Sequence, residues 1–280
     1  MRTKRSDRIS PTAHYTGAVW VRNNLSDPRL ETRMGRSLYH ALKPLNAAAR
    51  LARQPNLEGL LLARHGILDR MLEDAIKQGD IQQVVEIGAG LSGRGWRLSR
   101  RYRRKLTYVE TDLPGMTHRK RKLLVAQGAL PKRHRVEPLD ALAEDGPASL
   151  RHVVSQLDRD KGLCIITEGL LNYFDQASVE TLWRRIADCL AGFPKGLYLS
   201  DLHVGSEQPL AAGTAFRVML GTMLRSGIHF HYRQASEAES ALTHAGFSQA
   251  AVSSAADHLA PKDSQLEPSA RIVRIVRAVR

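Results

Sequence analysis

Cysteine is almost missing from this sequence: Cys164 and Cys189 are the two thiols in 280 residues. That excludes a disulfide scaffold and a cysteine-built zinc module, and it suits a reducing compartment such as the cytoplasm. No apolar run approaches the ~18 residues of a membrane span, so no membrane partner is expected. The basic N-terminus (Arg2, Lys4, Arg5, Arg8) is not followed by an apolar stretch, which argues against a secretory signal. Internal repeats and low-complexity segments are also lacking. With 42% hydrophobic and 25% charged residues, the chain is globular and not largely disordered. Acids are in short supply: 28 Asp and Glu face 42 Lys and Arg, a formal net charge of +14.

The excess of positive charge is local. Between Arg94 and Arg135, fourteen Lys and Arg accompany two acids, Glu110 and Asp112. One reading is a patch for nucleic acid or another polyanion. The ordinary reading, favoured here, is a pair of solvated basic helix faces.

Residues 1–80 read as an N-terminal helical cap. Ser37 to Arg53 has apolar residues at helical spacing, and Pro44 is expected to break or bend it. Leu57 to Ile76 is more strongly helical and stops at Gly79-Asp80. Residues 81–204 then alternate strand and helix. Strands are expected at Val84–Ile87, Leu106–Val109, Arg135–Leu139, Leu163–Ile166 and Leu197–Leu199. Helices are expected at Gly95–Arg103, Thr117–Gln127, Leu150–Leu157 and Ala177–Ala191. Residues 205–235 interrupt the pattern as a lid insertion. Residues 236–280 supply a helix, Ser236–Ala245, and two antiparallel strands, Ala250–Ala255 and Ile272–Val279. The expected fold is α/β: a doubly wound, mostly parallel, seven-stranded Rossmann-like sheet with a helical cap and a helical lid. Right-handed crossovers put the ends of the first five strands on one edge, where ligands of such sheets bind.

Gly88-x-Gly90-x-x-Gly93 follows the first strand and precedes a helix, the pattern of a dinucleotide-binding loop. Glu86, two residues before it, disfavours a pyrophosphate by charge repulsion and suits a cationic ligand. S-adenosylmethionine (SAM) is such a ligand, with a sulfonium and an ammonium. Glu-x-Gly-x-Gly is also the form of this loop in class I SAM-dependent methyltransferases. Asp112, Asp140 and Glu168 end the next three strands, so each of four successive strand ends carries a carboxylate. Asp112 has the spacing of a ribose-binding acid.

The segments Ser10-Pro-Thr-Ala13, Leu62-Ala-Arg64, Val85-Glu-Ile-Gly-Ala-Gly90, Tyr108-Val-Glu-Thr-Asp-Leu-Pro114 and Thr167-Glu-Gly-Leu-Leu-Asn-Tyr173 carry a resemblance. With them the sequence resembles the leucine carboxyl methyltransferase family and its polyketide O-methyltransferase relatives, over roughly residues 10 to 205. The C-terminal third carries no matching motif. The resemblance implies that Gly88 and Gly90 line SAM and that Asp112 binds its ribose. It also implies that Asp140 and Ala141 hold the adenine, that Glu168 sits by the methionyl end, and that Arg64 reaches the SAM carboxylate. The third-strand segment, Val136-Glu-Pro-Leu-Asp140, departs from expectation, since a proline is out of place in a central strand.

Methyl transfer from SAM is an in-line displacement, for which a protein supplies alignment and a dry pocket. A carboxylate acceptor is ionised at neutral pH and needs no base. A phenol or enol would be helped by one. Tyr173, Asp201 and His203 lie near the sheet edge, and Tyr173 and His203 are the catalytic candidates. Tyr15, Trp20, Tyr39, Phe216, Met219 and Met223 are candidates for an apolar acceptor wall. His229 and His231 lack nearby carboxylates, and no metal is expected. The expected activity is O-methyl transfer to a carboxylate or hydroxyl of a small molecule or peptide. The alternatives are a nucleic-acid methyltransferase using the basic stretch and an NAD-dependent reductase. The first lacks the Asn/Asp-Pro-Pro-Tyr loop after the fourth strand; Glu86 argues against the second.

Overall fold

The computed structural model describes residues 11–126, 130–205, 229 and 231–280. Its strands are β1 (Gln83–Ile87), β2 (Thr107–Asp112), β3 (His134–Pro138), β4 (Leu163–Thr167), β5 (Gly196–Leu202), β6 (Gln249–Ser254) and β7 (Arg274–Val279). They form one seven-stranded sheet in the order β3-β2-β1-β4-β5-β7-β6. β1 to β5 are parallel, and β7 runs antiparallel to both β5 and β6. The helices are α1 (Pro11–Arg22), α2 (Arg33–Leu51), α3 (Leu57–Gln78), α4 (Arg94–Tyr102), α5 (Pro114–Val125), α6 (Leu150–Ser155), α7 (Gln176–Leu190), α8 (Ala235–His244) and α9 (Glu267–Ala270).

Local chemistry sets several helix starts. Thr32, Asn56, Ser149 and Asp175 each accept the amide three residues on, capping α2, α3, α6 and α7. α3 ends at Gly79, whose φ of +84° is left-handed and favours glycine.

Strand periodicity divides the core between the two faces of the sheet. Val85, Ile87, Val109, Ile165, Tyr198 and Val276 pack under α6, α7 and α8. Val84, Tyr108, Cys164, Ile166, Leu197, Leu199 and Ile275 pack on the other face, chiefly under α3. By the same parity Glu86, Glu168, Asp201 and His203 belong to the α3 face.

Two proline expectations are corrected. α2 runs unbroken through Pro44. The proline and His40, whose carbonyl loses its amide donor, are both exposed, so water can satisfy that carbonyl. Pro138 is no anomaly, because β3 is an edge strand and Pro138 is its last residue.

Of the candidate acceptor wall, Tyr15 is fully buried, accepts a hydrogen bond from Asn46 and stacks on Tyr39. Trp20 is buried against the His65 ring, with centroids 4.7 Å apart. These side chains pack the interior. Phe216, Met219 and Met223, and with them most of the expected lid, lie outside the described residues.

α4 docks on β2 through Gly95, where a Cβ would stand 2.2 Å from Oε1 of Glu110. Glu110 is itself buried and paired with Lys120 at 2.9 Å, so it has little room to yield. Gly95→Ala is expected to destabilise the fold by about 2–4 kcal/mol. Urea unfolding followed by circular dichroism measures this; an unchanged midpoint would contradict the docking.

Candidate cofactor and catalytic site

The loop after β1 is shaped by its glycines. Gly88 (φ +71°) and Gly90 (φ +50°) have left-handed backbones, which side chains disfavour. The Gly90 amide donates to Oδ2 of Asp112 at 2.8 Å, and the Leu113 amide donates to Oδ1 at 2.7 Å. Desolvation raises the Asp112 carboxyl above its ordinary value, against the pull of those two amides. Beneath the loop, buried Lys120 donates to the Ala89 carbonyl at 3.4 Å. A Cβ on Gly90 would have Ala13 Cβ, 3.9 Å away, as its neighbour, so that side of the loop has room. The third glycine has a different reason. A Cβ on Gly93 would lie 2.5 Å from Ser26 Oγ, so Gly93 admits the segment that follows α1.

Behind the loop lies a buried ionic cluster centred on Arg94, whose side chain is fully buried. Its Nε donates to Asp69 at 2.5 Å, Nη1 to Glu86 at 2.7 Å and Nη2 to Glu168 at 2.5 Å. Arg97 pairs with the other oxygen of Asp69 at 2.5 Å. Nδ1 of His65 lies 2.9 Å from both Glu168 Oε2 and Arg94 Nη2. Glu86, expected to face the cofactor loop, has both oxygens engaged inside the protein, the second by the Tyr108 hydroxyl at 2.7 Å. Its strand parity explains this, since it shares the α3 face with Val84. Burial opposes the ionisation of Glu168 and Asp69. The neighbouring His65 and arginines outweigh it, holding Glu168 well below the carboxylate range and Asp69 down at about 2.

The cluster continues along the edge. Arg64 donates to Glu168 Oε1 at 3.2 Å and to Asp201 Oδ2 at 3.0 Å. Its guanidinium lies over Gly169 (φ +65°), where a Cβ would be 2.6 Å from Nη2. The Gly169 amide donates to Asp201 Oδ1 at 2.6 Å. His203 follows on the same face, and its Nδ1–H donates to the Ile272 carbonyl at 3.1 Å. That bond leaves Nε2 with its lone pair. Burial pushes the His203 pKa down, partly offset by Asp201. Tyr173, exposed at the edge, lies within electrostatic reach of Arg64.

At the end of β3, exposed Asp140 accepts the Leu142 amide at 2.9 Å through Oδ1. Ala141 beside it is buried. The His231 Nε2–H donates to the Phe174 carbonyl at 2.7 Å. Among the described residues, no group of three or more His, Cys, Asp and Glu could hold a metal ion.

The structure therefore brings Arg64, Glu86, Glu168, Asp201 and His203 into one neighbourhood, with Gly88, Gly90 and Asp112 beside it. Asp140 and Ala141 stand at the next strand end. Sequence reasoning missed Arg94, Asp69 and His65. His65 and Asp69 share a helix face one turn apart, and Glu86 and Glu168 sit on buried strands. Together they leave three inward acids in want of a cation. The cluster holds four carboxylates (Asp69, Glu86, Glu168, Asp201) against three guanidiniums (Arg64, Arg94, Arg97) and the His65 imidazole. The acceptors Asp112 and Asp140 at the edge fit a ligand rich in hydrogen-bond donors, as SAM is.

Because the Asp69 pKa is depressed, its stabilisation is complete above about pH 4 and fades as pH falls towards 2. Asp69→Asn is expected to cost about 3–5 kcal/mol at pH 7 by urea unfolding. The wild type and variant should draw together as pH falls from about 4 towards 2. Parallel pH curves would show that Asp69 is not ionised in the cluster.

Comparisons with known proteins show the family and the fold. A model of the leucine carboxyl methyltransferase family matches residues 20–187. A protein of Mycobacteroides abscessus, named for SAM-dependent methyl transfer, is 33% identical over 130 residues, covering 46% of this chain and 40% of that one. A Mycobacterium tuberculosis protein named for the same activity is 30% identical over 177 residues, covering 58% and 57%. The chain thus spans between 40% and 57% of the length of these curated relatives. A crystal structure from Thermobifida fusca, named for methyl transfer, superposes with a TM-score of 0.65 at 16% identity, covering 98% of this chain and 96% of that one. A DUF574 family protein from Streptomyces avermitilis superposes at 0.62 with 14% identity, covering 99% of both chains. At these identities the structural likeness is one of fold.

Proposed function

Given that this chain belongs to the leucine carboxyl methyltransferase family and has the class I methyltransferase sheet, we propose that it transfers the methyl group of SAM to an oxygen of a small-molecule or peptide acceptor. The observation that carries this reading is the convergence of glycine loop, strand-end acceptors and ionic cluster on one sheet edge. Gly88 and Gly90 would let the loop backbone approach the nucleoside, with Asp112 on the ribose hydroxyls and Asp140 and Ala141 at the adenine. Arg64 would take the SAM carboxylate in a charge-assisted pair, held in place by Glu168 and Asp201. Glu86 would act from behind, through Arg94 and Tyr108.

When bound, SAM supplies an electrophilic methyl group on a sulfonium leaving group. The chain's own part is to align the acceptor oxygen and exclude water. A carboxylate acceptor arrives ionised. A hydroxyl acceptor loses its proton as the new O–CH3 bond forms, and Nε2 of His203 is the base the geometry supports. Tyr173, exposed at the same edge, would contact the acceptor.

Two other readings fit less well. A nucleic-acid methyltransferase would use the basic stretch beside the reacting methyl, whereas the segments entering β2 and β3 lie at the other end of the strands. An NAD-dependent reductase is not what the family match over residues 20–187 supports.

Calorimetry is expected to show heat with SAM and none with NADH; silence with SAM would sink this reading. Asp112→Ala should weaken SAM binding by about 1–3 kcal/mol, as for a lost charged hydrogen bond. His203→Gln should leave SAM affinity intact and lower kcat on a hydroxyl acceptor by about 10²–10⁴-fold. The wild-type rate should rise with pH through the depressed His203 pKa, and the variant should lose that limb. Full activity of the variant on hydroxyl acceptors would remove His203 from the chemistry.

A further inference from the structure

Six cations of the basic run take no part in this chemistry and gather at the opposite edge of the sheet. β2 and β3 are parallel neighbours, so the segments entering them share the N-terminal edge, a strand's length from the glycine loop. The 3-10 turn Arg103–Lys105 leads into β2, and Lys132 and Arg133 lead into β3. The segment entering β3 meets the start of β2, where the Tyr108 amide donates to the Arg133 carbonyl at 2.9 Å. The last turn of α5, which runs towards the same edge, adds Lys122.

All six side chains, Arg103, Arg104, Lys105, Lys122, Lys132 and Arg133, are exposed. Five others of the basic run, Arg94, Arg97, Arg101, Lys120 and Arg135, each pair with a carboxylate within 4.0 Å, on Glu86, Asp69, Glu73, Glu110 and Glu137 among others. Arg100 lies over the Trp96 ring, Arg121 donates to the Val136 carbonyl, and Arg119 is exposed further back on α5. None of the six has such a carboxylate partner among the described residues. Asp158 is near enough to feel Arg133, and Lys161 already holds it at 2.5 Å. Arg103 also sits at φ +39°, a left-handed turn that glycine would occupy with less strain. An arginine there supplies a cation that the turn itself does not need.

We propose that this corner docks the phosphodiester backbone of a nucleic acid. Six exposed like charges gather condensed anions, and a polyphosphate that displaces them gains the entropy of counterion release. Three of the six are arginines, whose planar forks match phosphate oxygens in pairs. An anionic bilayer is the poorer fit. Val125, 57% exposed, is the one large exposed apolar side chain on α5, and the others are distributed over α2 and the C-terminal edge. A membrane-binding surface would carry an apolar face to insert. The dock lies away from the SAM edge, so it serves location and not recognition of the methylated group. It does not depend on the methyl-transfer reading.

The test is fluorescence anisotropy of a labelled single-stranded RNA of mixed sequence with the full chain, over a salt series. The wild type is expected to bind at low salt, with affinity falling steeply as salt rises. Replacing Arg103, Arg104 and Arg133 together by Gln should weaken binding about tenfold or more and reduce the salt slope by about 2. The variant should keep its circular dichroism spectrum and its calorimetric affinity for SAM. Lys122→Gln with Lys132→Gln should act in the same direction. Three outcomes would overturn the proposal: no RNA binding at low salt, a variant with an unchanged slope, or capture by phosphatidylserine vesicles without capture by RNA.

Discussion

A fully buried arginine bonded to three carboxylates holds this molecule together. Arg94 joins α3 through Asp69, β1 through Glu86 and β4 through Glu168. Each of these charges gives up much of its hydration, a cost of several kcal/mol that only close, well-directed pairing can offset. Remove one partner and the rest are left buried and uncompensated. The arrangement is therefore strict about geometry: α3, α4 and the two central strands cannot shift separately. The glycine loop connects β1 to α4, so its position follows from the same constraint.

That constraint sorts the strand-end acids into two kinds. Glu86, Glu168 and Asp201 turn towards α3 and fix Arg94 and Arg64. Asp112 and Asp140 stay at the edge, bonded chiefly to local amides. A second buried pair, Lys120 with Glu110, supports the loop from the side of β2. The positive charge divides in the same way. Part of it is internal and neutralised, and part stands uncompensated at the far end of β2 and β3.

Much of the architecture was legible from local pattern. Short apolar runs such as Val84–Ile87 and Leu163–Ile166, separated by helical stretches, called for a parallel sheet, and the final two strands were recognisable as an antiparallel pair. The glycine loop and Asp112 were legible because their chemistry is local: a turn that needs positive φ, and an acid at the end of the neighbouring strand. Pro44 and Pro138 misled, because their cost depends on exposure and on sheet position, which neighbouring residues do not report. Arg94 misled most. It stands in a run of basic residues and reads as surface, yet it is the most deeply placed cation of the site.

The sequence was therefore sufficient for the order of elements, for which strand ends carry acids and for the family's loop. Those follow from period-two and helical periodicity, from backbone preferences and from short motifs, all of which act over a few residues. Folding alone decided which acids pair with internal cations and which stay at the sheet edge, and which arginines are core and which are surface. Glu168 and Arg64 are 104 residues apart in the chain and 3.2 Å apart in the fold. Partnerships of that kind depend on which residues share a sheet face and how far water is excluded between them, and no local pattern encodes either.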